Sequence, residues 1–160
     1  MRRKSFLSVI FVSCYAIFFA IYLFFGLQPA GAESYEISAE LSIPSIGLTS
    51  DVTTLKLSNR ELNTPDYIVG SFNKYPSTTL LIGHSATIFQ NLPTIQIGDH
   101  IIYDETDYLV TKLETLEKAA IDMDALLEKS STPKLILMTC TGIDLGNGDS
   151  THRLIVTATT

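Results

Sequence analysis

Across 160 residues, 17 acidic side chains outnumber 11 basic ones, and three of those cations, Arg2, Arg3 and Lys4, stand together at the N-terminus. Setting the three aside takes the net charge from −6 to −9, so the bulk of the chain repels phosphates, which excludes a general nucleic-acid binder and a domain that lies flat on an anionic membrane. The length suits one domain, and with Cys14 inside the apolar N-terminal run and Cys140 as the only other cysteine, that domain holds no internal disulfide.

Residues 5–27, SFLSVIFVSCYAIFFAIYLFFGL, carry no charge, and 14 of them are Leu, Ile, Val or Phe. As a helix rising ~1.5 Å per residue the run spans roughly 34 Å, enough for a hydrocarbon core. At ~0.3–0.6 kcal/mol per residue, insertion is favoured by on the order of 4–8 kcal/mol. The preceding cations hold the N-terminus in the cytoplasm and send the rest of the chain outward. Ala30-Gly31-Ala32 resembles a signal-peptide cleavage site, but a cleavable apolar region is normally about 7–15 residues long. The expected organisation is a cytoplasmic N-terminus 1–4, a single-pass transmembrane signal-anchor 5–27 in the cell membrane, a linker 28–35, and an extracytoplasmic domain 36–160.

That domain reads as short strands. Ile37, Ala39, Leu41 and Ile43 alternate with polar residues and predict a half-buried strand. DVTTLKL (51–57) predicts a second, with Thr53, Leu55 and Leu57 on one face. Ser58-Asn59-Arg60-Glu61 has capping-box spacing and predicts a short helical turn before Pro65. TTLLIGH (78–84) predicts a buried strand, and NLPTIQIGD (91–99) a turn with a loose helical twist. Residues 100–104 and 107–116 predict two more strands, the second with Leu109, Thr111, Leu113 and Thr115 on one face. A short helix is expected within 121–130, its acids at the N-terminal end where the dipole favours them. Strand 134–140, a polar loop, and strand 153–159 complete the chain. Seven or eight short strands with little helix indicate a mainly all-β fold, a closed or nearly closed barrel or a sandwich.

Three residues carry chemistry. His84 ends one predicted strand, Cys140 ends another, and Arg153 opens a third. A free thiol has a pKa of ~8.5 and needs a base or a cation beside it to become a nucleophile. Acyl transfer also needs positive charge or donors where the oxyanion forms. Strand ends at one rim of a barrel can bring such residues together. The competing readings are a small buried hydrophobe for Cys140 and, for Arg153, an exposed charge or a salt bridge to an acid such as Asp149.

Five blocks occur in a telling order: IPSIGL (43–48), LLIGH (80–84), IQIGDHIIY (95–103), LILMTC (135–140) and HRLIVTA (152–158). Over residues 36–160 this set resembles the sortases, membrane-anchored cysteine transpeptidases of bacterial cell surfaces. The resemblance implies a closed eight-stranded β-barrel with one or two short helices, and no cofactor or metal. It implies cleavage of a sorting-signal peptide of the Leu-Pro-x-Thr-Gly type, a thioacyl enzyme, and transfer to an amine of a cell-wall precursor or a pilin lysine. By position Cys140 is the expected nucleophile, His84 the general acid/base, and Arg153 the oxyanion or substrate clamp. Thr139 is a candidate substrate contact, a place that also suits an ordinary strand end. Where the family often has Thr-Leu-x-Thr-Cys, this chain has Ile136 for the first threonine, which leaves the peptide preference open.

The remaining candidates read as structural. His100 opens a strand as a surface or packing residue, and His152, adjacent to Arg153, faces the other way. DLGNGD (144–149), within the loop 141–151, offers too few carboxylates for a calcium site and reads as a turn. Phe72 and Tyr75 suit a peptide groove or the core. Papain-like enzymes place Cys before His, the caspase signature is absent, and Thr139 stands where another transpeptidase type has Gly. The rivals are another extracytoplasmic cysteine peptidase and a membrane-tethered, non-catalytic β-domain with an inert thiol.

Overall fold

The computed structural model describes residues 35–58, 61–145 and 149–160. The expected cytoplasmic N-terminus, signal-anchor and nearly all of the linker lie outside the described residues, as do Asn59, Arg60 and the loop residues 146–148. Among the described residues no helix is long and apolar enough to cross a membrane.

Within TTLLI and KLILM, the stretches 80–82 and 135–138 are apolar on both faces, which a sheet tolerates only where it is covered on both sides. The two runs form β6 (Thr78–Ile82) and the first half of β9 (Lys134–Asp144), paired in parallel. Leu81, Leu135 and Leu137 point into the main core, together with Leu41, Val52, Val69 and Val110. Leu80 and Ile136 point outward into a second cluster with Leu127 and Ile155, against which Phe72, Ile82 and Met138 pack.

Around that pair the barrel closes in the order β1-β2-β5-β6-β9-β10-β8-β7, with β1 (Ile37–Ile43), β2 (Leu48–Thr54), β5 (Val69–Tyr75), β7 (His100–Tyr103), β8 (Thr106–Glu117) and β10 (Ser150–Thr159). Leu41↔Tyr103 and Ser42↔Ile102 complete the ring. Two pairs are parallel, β2 with β5 and β6 with β9, so each requires a crossover connection. The first carries a two-stranded hairpin, β3 (Leu57–Ser58) and β4 (Glu61–Leu62). The second, residues 83–133, carries β7, β8 and the one-turn helix α1 (Met123–Leu126), capped by Asp122, whose carboxylate accepts from the Asp124 and Ala125 amides.

The all-β barrel agrees with expectation; several elements do not. The helical turn at 58–61 is instead an antiparallel pair, Ser58↔Glu61. Strand β5 gives no signal in the sequence, because Gly70, Ser71 and Asn73 are poor strand formers. Its Gly70 is where the Leu55 side chain lands: a Cβ there would come within 2.5 Å of Leu55 Cδ1. Strand β2 begins at Leu48 and ends at Thr54, leaving Leu57 exposed. In β8 the predicted face is wrong for its first half. Tyr108 and Val110 point inward while Leu109 is exposed. The register against β10 then skips Thr111, pairing Lys112 with Thr157 and Val110 with Ala158, so Leu113 also packs on the core. A bulge of this kind breaks the period of two that alternation relies on. Strand β9 runs on through Asp144, into what reads as loop.

Candidate active site

Parallel pairing sets two of the expected residues side by side. Ile82, the last residue of β6, pairs with Met138; His84 follows two residues past that strand's end, and Cys140 stands two residues further along β9. Strands lie about 4.8 Å apart, so a sequence separation of 56 residues becomes a step to the neighbouring strand. On the other side, Arg153 of β10 pairs directly with Cys140, and Leu116 of β8 with Arg153. The three residues line one groove of about 740 Å³ on the outer face of the barrel. Ile82 and Met138 line it beside the thiol, joined by Leu57, Leu62 and Phe72 on one side and Ile121, Met123 and Leu127 on the other. Phe72 serves both roles its sequence position allows, lining the groove and packing on the outer cluster.

Cys140 is a free, half-buried thiol. The His84 Nε2 lies 3.2 Å from the Thr64 carbonyl oxygen. A carbonyl only accepts, so in the neutral ring Nε2 carries the proton and Nδ1 is the basic position. The Asp66 carboxylate stands 3.8 Å from Nε2, ready to pair with an imidazolium. The segment 64–66 is held there by the Thr87 hydroxyl, which donates to the Asp66 carbonyl. Neither Thr64 nor Asp66 stands out in the sequence; both lie on the crossover between parallel strands, and nothing in their spacing reports contact with His84.

Arg153 is mostly covered, its side chain 13% exposed. Nη1 donates to the Ser150 and His152 carbonyls at 2.9 Å each, and Nη2 donates to the Asp149 carboxylate. Asp149 also accepts from Lys118, which itself lines the groove. The ion pair to Asp149 and the groove position therefore coexist; they are not alternatives. Asp149 is held well below the usual carboxylate range, first by the Lys118 ammonium, then by Arg153 and the Ser150 amide. His100 pairs with Asp107 at the surface, and His152 Nδ1 lies 2.8 Å from the Thr151 hydroxyl.

Thr139 borders the groove, yet its hydroxyl is buried and donates to the Gly83 carbonyl at 2.8 Å. That bond ties the residue before Cys140 to the residue before His84. Gly83 is needed on the other side: a Cβ there would meet Ile88 Cγ2 and Phe89 Cδ2 at 2.7 Å, and Phe89 is fully buried. Thr139→Val strands a buried carbonyl, costing ~1–3 kcal/mol; Gly83→Ala overpacks by a similar ~1–3 kcal/mol. Both are expected to lower the melting temperature and to reduce turnover, with Cys140 still open to a small electrophile. Wild-type turnover in both variants would show that this junction does not align the site.

The Sortase domain family profile matches residues 41–160. The chain belongs to the sortase family. Solved sortases share its fold. Sortase A from Corynebacterium diphtheriae, as a lid mutant, superposes with a TM-score of 0.62 at 22% identity, over 80% of this chain and 72% of that one. Sortase C-1 from Actinomyces oris gives 0.60 at 24%, covering 77% and 71%. Sortase A from Listeria monocytogenes gives 0.59 at 15%, covering 77% and 86%. No curated protein matches the chain.

Proposed function

We propose that this sortase is a membrane-tethered cysteine transpeptidase that cleaves a sorting-signal peptide of the Leu-Pro-x-Thr-Gly type and transfers it to an amine. The observation that carries the proposal is that His84, just past the end of β6, Cys140 of β9 and Arg153 of β10 line one largely apolar groove. The groove suits an extended, mainly apolar peptide, with its scissile carbonyl at the thiol.

The Cys140 thiolate attacks that carbonyl, and N–H donors of Arg153 face the oxygen as it gains charge. His84 gives a proton to the leaving amine as the C–N bond breaks, leaving the acyl group on sulfur. An incoming amine, from a cell-wall precursor or a pilin lysine, gives a proton to His84 and attacks the thioester. The new amide forms and the thiolate departs. The uncharged run at 5–27 behind three cations supports a single-pass anchor in the cell membrane, with this chemistry on the outer side.

The test is incubation of the full chain with a peptide library and an amine, products read by mass spectrometry. A product joining an acyl fragment to the amine, dependent on Cys140, is expected. A thiol that reacts with small electrophiles only after unfolding, with no cleavage of any peptide, would overturn the proposal.

A further inference from the structure

Asp149 stands at the start of β10, behind two cations that both line the groove but come from different parts of the chain. Lys118 comes directly after β8, and Arg153 lies in β10. The Arg153 guanidinium has five N–H bonds, and three hydrogen bonds run from it to the Asp149 carboxylate and the Ser150 and His152 carbonyls. Those acceptors hold one part of the fork and leave the remainder for the groove. The two carbonyls belong to the backbone and are present whatever the side chains. Asp149 is the acceptor whose full charge a substitution can remove, since an amide in its place keeps an oxygen but no charge to hold the fork. It is itself anchored by the Lys118 ammonium and the Ser150 amide.

We propose that Asp149, braced by Lys118, is the positioning residue that aims Arg153 at the reacting carbonyl beside Cys140. This rests on reading Cys140 as nucleophile and Arg153 as the donor to the oxyanion. A planar fork gives directional donors only when its plane is fixed, and donors aimed beforehand are what stabilise a developing oxyanion. Asp149 touches no substrate in this scheme; it acts through Arg153 alone.

Its charge is constant across the working range. A carboxyl whose pKa is lowered on folding contributes fully above its unfolded value of ~3.9, and the contribution fades only as pH falls through the lower folded value. Losing Asp149 should therefore scale the pH–rate profile down without moving its limbs.

The experiment compares the full-length parent with Asp149→Asn, Asp149→Glu, Arg153→Ala and the double variant Asp149→Asn/Arg153→Ala. Peptide cleavage gives kcat and KM, and nitrogen-15 NMR of the arginine side chains reports whether the Arg153 fork rotates freely. Asp149→Asn is expected to lower kcat at least tenfold with KM changed less than threefold, to keep the profile's shape, and to free the Arg153 fork. Asp149→Glu restores most of the rate. The double variant is no slower than Arg153→Ala, because both changes remove one interaction. A kcat for Asp149→Asn within twofold of the parent, additive losses in the double variant, or an Arg153 fork equally fixed in parent and Asp149→Asn would each overturn the inference. A parent without Cys140-dependent cleavage would sink the transpeptidase reading instead. The NMR comparison would then still decide whether Asp149 fixes the fork.

Discussion

Cys140→Ala is expected to abolish both cleavage of a sorting peptide and its transfer to an amine, while the fold persists. The thiol is half-buried and lines the groove, so deleting one heavy atom costs on the order of 1 kcal/mol of burial at most. The barrel around it keeps Leu135, Leu137 and Val156 in the core. Cys140→Ser is expected to be nearly dead as well, because a hydroxyl is far less ionised than a thiol near neutrality. His84→Ala should lose on the order of 100- to 10,000-fold. Single-turnover assays with trapping of the thioacyl enzyme separate the two variants: the alanine at 140 forms no adduct, and the alanine at 84 forms it slowly. Turnover by Cys140→Ala above the uncatalysed rate would remove Cys140 from its role.

Arg153→Ala is the other large effect. Losing one oxyanion donor costs on the order of 100- to 1,000-fold in rate, or ~3–4 kcal/mol, and this substitution removes the whole fork. Arg153→Lys should recover only part, since an ammonium supplies a point charge in place of parallel donors. If the competing reading of Arg153 as an exposed charge held, its loss would leave melting nearly unchanged. The structure corrects that expectation: with three hydrogen bonds and 13% exposure, its removal takes one donor each from two carbonyls and from a carboxylate that keeps Lys118 and the Ser150 amide. A drop of a few degrees in melting temperature is therefore expected, and rates are to be compared well below the lower transition. Near-normal turnover in Arg153→Ala would assign the oxyanion to backbone amides and leave Arg153 as a strut for Asp149.

How much of the molecule is legible in its sequence depends on the kind of contact each pattern encodes. The apolar runs around Leu80 and Ile136 announce strands covered on both faces, and both are such strands. Alternation locates β8 but not its inward face, because the skipped Thr111 resets the parity midway. Strand β5 escapes because its Gly70 and Ser71 are selected for fit: Gly70 makes room for Leu55, and the Ser71 hydroxyl donates to the Thr53 carbonyl. His84, Cys140 and Arg153 stand out at predicted strand ends, although Cys140 lies within β9, Arg153 within β10, and His84 two residues past β6. Their convergence is not encoded in spacing; it depends on a parallel pairing between segments separated by an entire crossover. Asp149 is visible only as an alternative use for Arg153, and it meets that residue without taking it out of the groove. Lys118 and Asp66 leave no trace in the pattern.

The ladder between β6 and β9 also decides which changes in chain length this enzyme can absorb. Its rungs run from Thr78↔Lys134 to Ile82↔Met138, and the alignment of His84 with Cys140 is inherited from them and from the bond between Thr139 and Gly83 just beyond. The intervening crossover can lengthen or shorten at its surface turns, such as Asp104-Glu105 between β7 and β8, without shifting His84 against Cys140 by a single step. One residue inserted between Met138 and Cys140 has the opposite effect. Side chains along a strand alternate between faces, so the thiol would turn from the groove into the barrel wall. Length variation among chains of this architecture should accordingly collect between Gly83 and Pro133 and be absent from the six positions that end at Cys140.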